Sequence, residues 1–217
     1  MLDHILSEMD AGRLGPGSRV VAARIASDLD LSAAPVREAL SVLAGQGILD
    51  LLPDRGAVMR EMTPKAVRQF WELLAPIGAV GLRLAARAIV DGADTGEITR
   101  KFAEIRREVG LEDPVSFLLL LNDWHYAVNR LGGNDFVTEA PSRLGVAYWD
   151  RYLVGIIDVP GHVDGYLTNY RRMYEAVMAG DGNGAAAILH FHADWSISLI
   201  DEAVASRKPA RKSRKRA

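Results

Sequence analysis

The stretch Ser32-Ala33-Ala34-Pro35-Val36-Arg37-Glu38-Ala39-Leu40-Ser41-Val42-Leu43 leaves few conformations open. Ser32 can accept the first unsatisfied N–H groups of a helix, and Pro35 falls in the first turn, where a missing backbone donor costs least. A helix therefore starts here. Val36, Leu40 and Leu43 recur at helical spacing, so one face packs inward while Ala33, Ala34, Arg37 and Ser41 point elsewhere. The outward face is thin and carries one strong donor. Such a face fits the major groove of DNA, where small side chains permit close approach and a guanidinium can bond a phosphate or the guanine edge. An ordinary capped amphipathic helix has the same pattern, so the flanking sequence must decide between the two.

Upstream, Leu2, Ile5, Leu6 and Met9 share one helical face, and Gly12-Arg13-Leu14-Gly15-Pro16-Gly17 ends that helix. Ala22 to Leu29 carries Ile25 and Leu29 at i, i+4, and only a short turn separates it from Ser32, as a helix-turn-helix requires. Downstream, Ile48 to Leu52 and Ala57 to Met59 are short apolar runs around Pro53-Asp54-Arg55-Gly56, which reads as a β-hairpin with Arg55 and Gly56 at its tip. A helix-turn-helix followed by such a hairpin is a winged helix.

Residues 2 to 62 resemble the DNA-binding domain of the GntR superfamily of bacterial transcription regulators. The matching text is Gly15-Pro16-Gly17-Ser18, Leu31 to Leu40, Leu43, Gly47 and Arg55-Gly56-Ala57-Val58. The resemblance implies that Arg24, Ser32, Ala33, Ala34, Arg37, Arg55 and Gly56 face operator DNA. Ala33 stands where an arginine is common.

Composition bounds the rest. A chain of 217 residues, 49% hydrophobic, can bury two cores. The formal charge of −2 hides an asymmetry: Arg207, Lys208, Arg211, Lys212, Arg214, Lys215 and Arg216 all lie at the C-terminus, leaving 19 basic against 28 acidic residues elsewhere. Nucleic-acid contact must therefore come from local patches. The absence of cysteine excludes disulfides and thiolate metal sites. No export leader and no apolar run approaching ~20 residues is read, so a cytoplasmic protein without membrane contact is expected.

From Thr63-Pro64 onward the pattern is helical throughout: Lys65 to Val90, a segment around Phe102, Ile105 and Val109, Val115 to Leu131 stopped by Gly132-Gly133-Asn134, Phe136 to Ile157 as one helix or a broken pair, Tyr166 to Ala179, and Ala185 to Ala205. This order resembles the all-helical effector domain of the FCD branch of the GntR superfamily, carried by Leu82-Arg83-Leu84-Ala85-Ala86, Trp124-His125 and Tyr174 to Asp181 leading to His192.

That branch commonly binds a divalent metal, zinc or nickel, through an aspartate and three histidines. His125 and His192 match two of these, but Leu121 and Tyr170 replace the other two expected ligands. Asn122 is offset by three residues from His125, whereas Asp123 and His190 should face away. Leu74 and Gly78 stand where the branch often has arginine and glutamate. The resemblance with these departures implies a more apolar cavity, drawn from Trp71, Trp124, Trp149, Tyr152 and Tyr170, with His125 and His192, and Arg151 as the nearest partner for an anionic group. The bland reading makes the two histidines hydrogen-bonded core residues and Arg151 a surface residue.

The expected architecture is mainly α: a winged helix-turn-helix of three helices plus a β-hairpin over residues 1–62, an all-helical bundle over 63–205 that binds ligand and dimerises, and a basic disordered tail over 206–217. The expected function is a non-enzymatic homodimeric regulator whose affinity for double-stranded operator DNA responds to a small effector, a carboxylate or an apolar metabolite. The alternatives are a regulator with a degenerate, metal-free pocket and a metal-dependent enzyme.

Overall fold

The structure is a computed structural model and describes residues 2–53, 56–61, 63–107 and 113–206. The expected hairpin tip at Arg55, the helical position Val109, the boundary residue Met62 and the basic tail from Arg207 lie outside the described residues.

The N-terminal head consists of α1 (Leu2–Asp10), β1 (Arg19–Val21), α2 (Ala22–Asp28), α3 (Ala33–Gly45), β2 (Leu49–Leu52) and β3 (Gly56–Met59). Ile5, Val36, Ile48, Leu49 and Met59 are wholly buried, and Leu40 and Leu43 nearly so, which is the face their spacing predicts. Two sequence-based expectations need correction. The hairpin belongs to a three-stranded antiparallel sheet of order β1-β3-β2, with Val20 opposite Ala57 and Leu51 also opposite Ala57 from the other side. At three residues, β1 is too short to show an alternating pattern. Ser32 occupies the N-cap of α3 in extended conformation, but its side chain makes no capping hydrogen bond. The turn between α2 and α3 is closed by Asp30 in the left-handed region (φ 52°), a conformation that Asp tolerates better than most residues, with the Leu31 N–H bonded to Ala26 O.

The bundle begins at α4 (Pro64–Val90), where Thr63 Oγ1 accepts the Ala66 N–H at 3.1 Å and Pro64 takes the first helical position, as the sequence implies. It continues with α5 (Gly96–Arg107), α6 (Pro114–Leu131), α7 (Asp135–Arg143), α8 (Val146–Val154), a 3₁₀ turn (Pro160–His162), α9 (Val163–Met178) and α10 (Gly182–Ser206). The segment Phe136 to Ile157 is thus a broken pair, parted at Gly145 in left-handed conformation (φ 67°). α4 contains an 18-residue window of mean hydropathy 1.7, so by length and composition it could cross a bilayer, a feature the sequence reading overlooked. In the fold its inner face packs on α10, α6 and α9.

α4 and α10 run antiparallel at close range. Ala75, Ala79 and Ala86 on one helix and Ala185, Ala186 and Ala193 on the other are buried. A side chain at Gly78 would begin 2.8 Å from Leu189 Cδ2, and one at Gly182 would begin 2.8 Å from the Arg83 Cα. The Arg68–Asp201 pair at 2.6 Å and the Arg83 Nε–Asn183 bond at 3.0 Å fix the helix register at the two ends. On the α6 side of α4, Gly81 faces the buried Asn129: a Cβ there would stand 2.0 Å from Asn129 Oδ1. Gly81→Ala should therefore destabilise the protein by about 1–3 kcal/mol in chemical denaturation, because overpacking at a buried amide outweighs the ~1 kcal/mol gain in helix propensity. Unchanged or raised stability would show that α4 and α6 can separate without cost.

Candidate functional site

The first candidate surface is the outer face of α3. Ser32, Ala33, Ala34, Arg37 and Ser41 are all exposed, and Arg37 has no ion pair among the described residues. Because Ser32 does not cap the helix, its hydroxyl is available outward. Arg24 projects from α2, loosely paired with Asp28 at 3.8 Å. Gly56 requires correction as an exposed tip residue. It is buried at the start of β3, where a Cβ would stand 3.2 Å from Val20 O, so it lets β1 approach the sheet. Arg19 on β1, with Nε 3.9 Å from that same Cβ position, lies beside the hairpin and was missed because no strand was expected.

The second candidate is a cavity of about 510 Å³, including its mouth, between α4, α6, α7, α8, α9 and α10. Its walls are Trp71, Leu74, Ala75 and Gly78 from α4, Asn122, His125, Tyr126 and Asn129 from α6, then Pro141, Val146, Tyr170 and Leu189. Leu74 and Gly78, the two departures from the branch, thus line the cavity. So do Trp71, His125 and Tyr170 from the expected set. The set Asn122, Tyr126 and Asn129 completes one face of α6 with His125, a signal legible in the i, i+3, i+4, i+7 spacing but passed over beyond Asn122.

Other expected residues stand elsewhere. Trp124 is fully buried behind the wall, its ring 5.1 Å from His125 and 5.6 Å from Tyr170. Trp149 stacks on Phe70 at 4.8 Å, away from the cavity. His192 is 1% exposed, with Nδ1 3.2 Å from the Asn169 amide, and sits behind Tyr170. Arg151 is not a cavity residue: its Nε and Nη2 bond Asp10 of α1 at 2.7 and 3.0 Å, and its Nη1 bonds Ala147 O. That geometry makes the guanidinium a bidentate link between bundle and head.

A divalent metal does not fit the residues present. His125 and His192 each pack edge-to-face with the Tyr170 ring, at 5.3 and 5.4 Å between ring centres, and the described residues contain no group of three metal-ligating side chains. A stable zinc site needs three or four such ligands. Burial also holds both imidazoles neutral, pulling His125 down to about 4 and His192 to about 3.

Behind Asn122 lies a residue the sequence gave no reason to single out. Asp150 of α8 is 7% exposed, accepts a hydrogen bond from the Asn122 amide and has no cationic partner among the described residues. Burial pushes its carboxyl up to about 7, against the smaller opposing effects of Asn122 and of Arg151. Its folded-state value is therefore above its unfolded one, so the contribution of Asp150 to stability is fully present below the unfolded-state carboxylate range and is lost as pH rises through about 7. Asp150→Asn should be more stable than the wild type at alkaline pH, by on the order of 1–4 kcal/mol, with the gap closing as pH falls towards the unfolded-state carboxylate range. Denaturation curves across pH for both proteins test this; a gap independent of pH would mean that Asp150 is not a strained carboxylate.

α8 connects the cavity to the head. Val146 lines the cavity and Asp150 holds Asn122, while Tyr148 Oη donates to Arg60 O at 3.0 Å and Arg151 holds Asp10. At its start, Gly145 lies against Ile48 and Gln46 O of the head, leaving no room for a side chain.

Comparison with known proteins agrees with this architecture. Residues 69–194 match the family described as the FCD domain. A probable D-xylose utilization operon transcriptional repressor of Paenarthrobacter nicotinovorans is 27% identical over 190 residues, covering 88% of this chain and 82% of that one. Among solved structures, E. coli McbR/YncC superposes with a TM-score of 0.77 at 19% identity, covering 93% of this chain and 95% of its own. A GntR-type putative transcriptional regulator from Rhodococcus sp. RHA1 gives 0.72 at 18% identity, covering 95% and 96%. With a family match over more than half its length, the chain belongs to the FCD-domain family, and its winged head and helical bundle have the fold of these two solved structures.

Proposed function

We propose that this regulator works as a cytoplasmic homodimer in which residues 1–62 bind operator DNA and residues 63–205 dimerise and bind a small effector without a metal. The observation that carries the reading is α8, one helix built into both the cavity wall and the head. A ligand that fits one α8 position better than another shifts the head by as much as its affinity differs between the two positions.

On DNA, the exposed α3 N-terminus enters the major groove with Arg37 as the main base reader, supported by Ser32, Ala33, Ala34, Arg24 and the hairpin bearing Arg55. With alanines at the helix start, few direct base contacts are available, so DNA shape contributes to selection. The basic tail over 206–217 adds salt-sensitive attraction to phosphates. Two-fold symmetry supplies the second reading head. Leu73 and Val80 of α4, 50% and 40% exposed, and Phe191 of α10, 55% exposed, are apolar side chains that a second copy would cover.

Arg37→Ala should cost about 1–3 kcal/mol of operator binding, read by mobility shift or footprinting at fixed salt. Unchanged affinity would displace α3 as the reading helix. Arg151→Ala should cost little stability, ~1 kcal/mol or less because its partner Asp10 is 44% exposed, yet blunt the change in operator affinity produced by the effector. A full effector response in that variant would rule out the Asp10 link. Metal analysis of the purified protein should find less than one divalent ion per chain, and chelator treatment should leave the melting temperature unchanged; a stoichiometric ion removed with loss of stability overturns the metal-free reading.

A further inference from the structure

The geometry points to a small organic cation, an apolar body carrying a protonated amine, as the ligand class of the cavity between α4, α6 and α8. This rests on the cavity being the effector site.

The walls set the polarity. No lysine or arginine lines the cavity among the described residues, and Arg151, the one basic residue next to it in sequence, is turned outward to Asp10. A carboxylate entering here would meet the neutral His125 imidazole, two tyrosines, two asparagine amides and the Trp71 indole, with no lysine or arginine among the described lining residues to balance its charge. The charge-bearing group that stands directly behind a wall residue is negative. Asp150 stands one side chain behind Asn122, and its field reaches the hydroxyls of Tyr126 and Tyr170, both wall residues. A buried carboxylate lacking a counter-ion is costly in its ionised form, and a cation brought close to it offsets that cost. Trp71, Tyr126 and Tyr170 supply the aromatic faces that attract an ammonium, and the Trp71 Nε1–H is buried without a hydrogen-bond partner, leaving a donor for a neutral oxygen or ring of the same ligand.

The groups facing Asp150 from neighbouring helices are Asn122 and Tyr126 of α6 and Tyr166 and Tyr170 of α9, with Arg151 beside it on α8 and the buried His125 and His192 packed against Tyr170. The histidines titrate far below neutrality and the tyrosines well above it. Asp150 alone changes charge between them, with a value of about 7. A cation binds the ionised form, so its affinity rises with pH.

The test uses three probes that share one ring: benzylamine, benzyl alcohol and benzoate, added at equal concentration to the full chain and followed by thermal denaturation and calorimetric titration. Benzylamine should raise the melting temperature most and benzoate least. Its affinity should increase about tenfold from about pH 6 to about pH 8, and the advantage over benzyl alcohol should vanish in Asp150→Asn. Benzoate matching benzylamine, or an amine preference retained in Asp150→Asn, overturns the cation class. Should that variant not fold, a pH-independent benzylamine affinity in the wild type overturns it equally. Stabilisation by benzyl alcohol or benzoate alone leaves the cavity as a ligand site and removes only the cation; no shift with any of the three removes both.

Discussion

The close approach of α4 and α10 is the contact on which the remaining arrangement depends. Gly78 against Leu189 and Gly182 against the Arg83 backbone bring the helices nearer than larger residues would allow, and the buried alanines between them keep that distance along the interface. With these two helices fixed, α6 and α9 close the bundle, and Gly81 sets the distance from α4 to α6 by leaving room for Asn129. The same small residues shape the cavity. Gly78 and Ala75 form part of its wall, so the close packing that holds the bundle together also opens space beside Trp71 and His125.

α8 translates that packing into communication. A nine-residue helix has few faces, and here each carries a different contact: Val146 to the cavity, Asp150 to Asn122, Tyr148 to the Arg60 carbonyl and Arg151 to Asp10. The Asp10 pair is partly exposed and contributes modestly to stability. Its value lies in register, since a bidentate guanidinium contact tolerates little rotation of α8 relative to α1. The buried Tyr148 and the tight fit of Gly145 against Ile48 add steric limits on the same interface.

The cavity's chemistry follows from burial more than from any single residue. Removing water holds both imidazoles neutral and pushes the Asp150 carboxyl up to about 7, so the ionisation of Asp150 shifts into the neutral pH range. Tyr170 packs against both histidines and completes an aromatic wall, and no third metal-ligating side chain joins them among the described residues.

The local elements were legible in the sequence because they depend on short-range physics. Helical spacing placed Val36, Leu40 and Leu43 inward, Thr63-Pro64 marked the start of α4, and Gly132-Gly133 marked the end of α6. The resemblance carried by Leu31 to Leu40 and by Trp124-His125 added the winged head and the helical effector bundle. Two local signals failed: β1 is too short to show alternation, and Ser32 looks like a capping residue but does not use its side chain that way. What the sequence could not settle is which distant side chains meet. Asp10 and Arg151 are separated by 141 positions and Asn122 and Asp150 by 28, and no periodicity within one helix specifies a partner on another. Sequence determined which residues face inward; only packing of the helices decided that Arg151 leaves the cavity for Asp10 while Asp150 stays behind its wall, because neighbours in a helix point about 100° apart and the surrounding fold assigns each direction its environment.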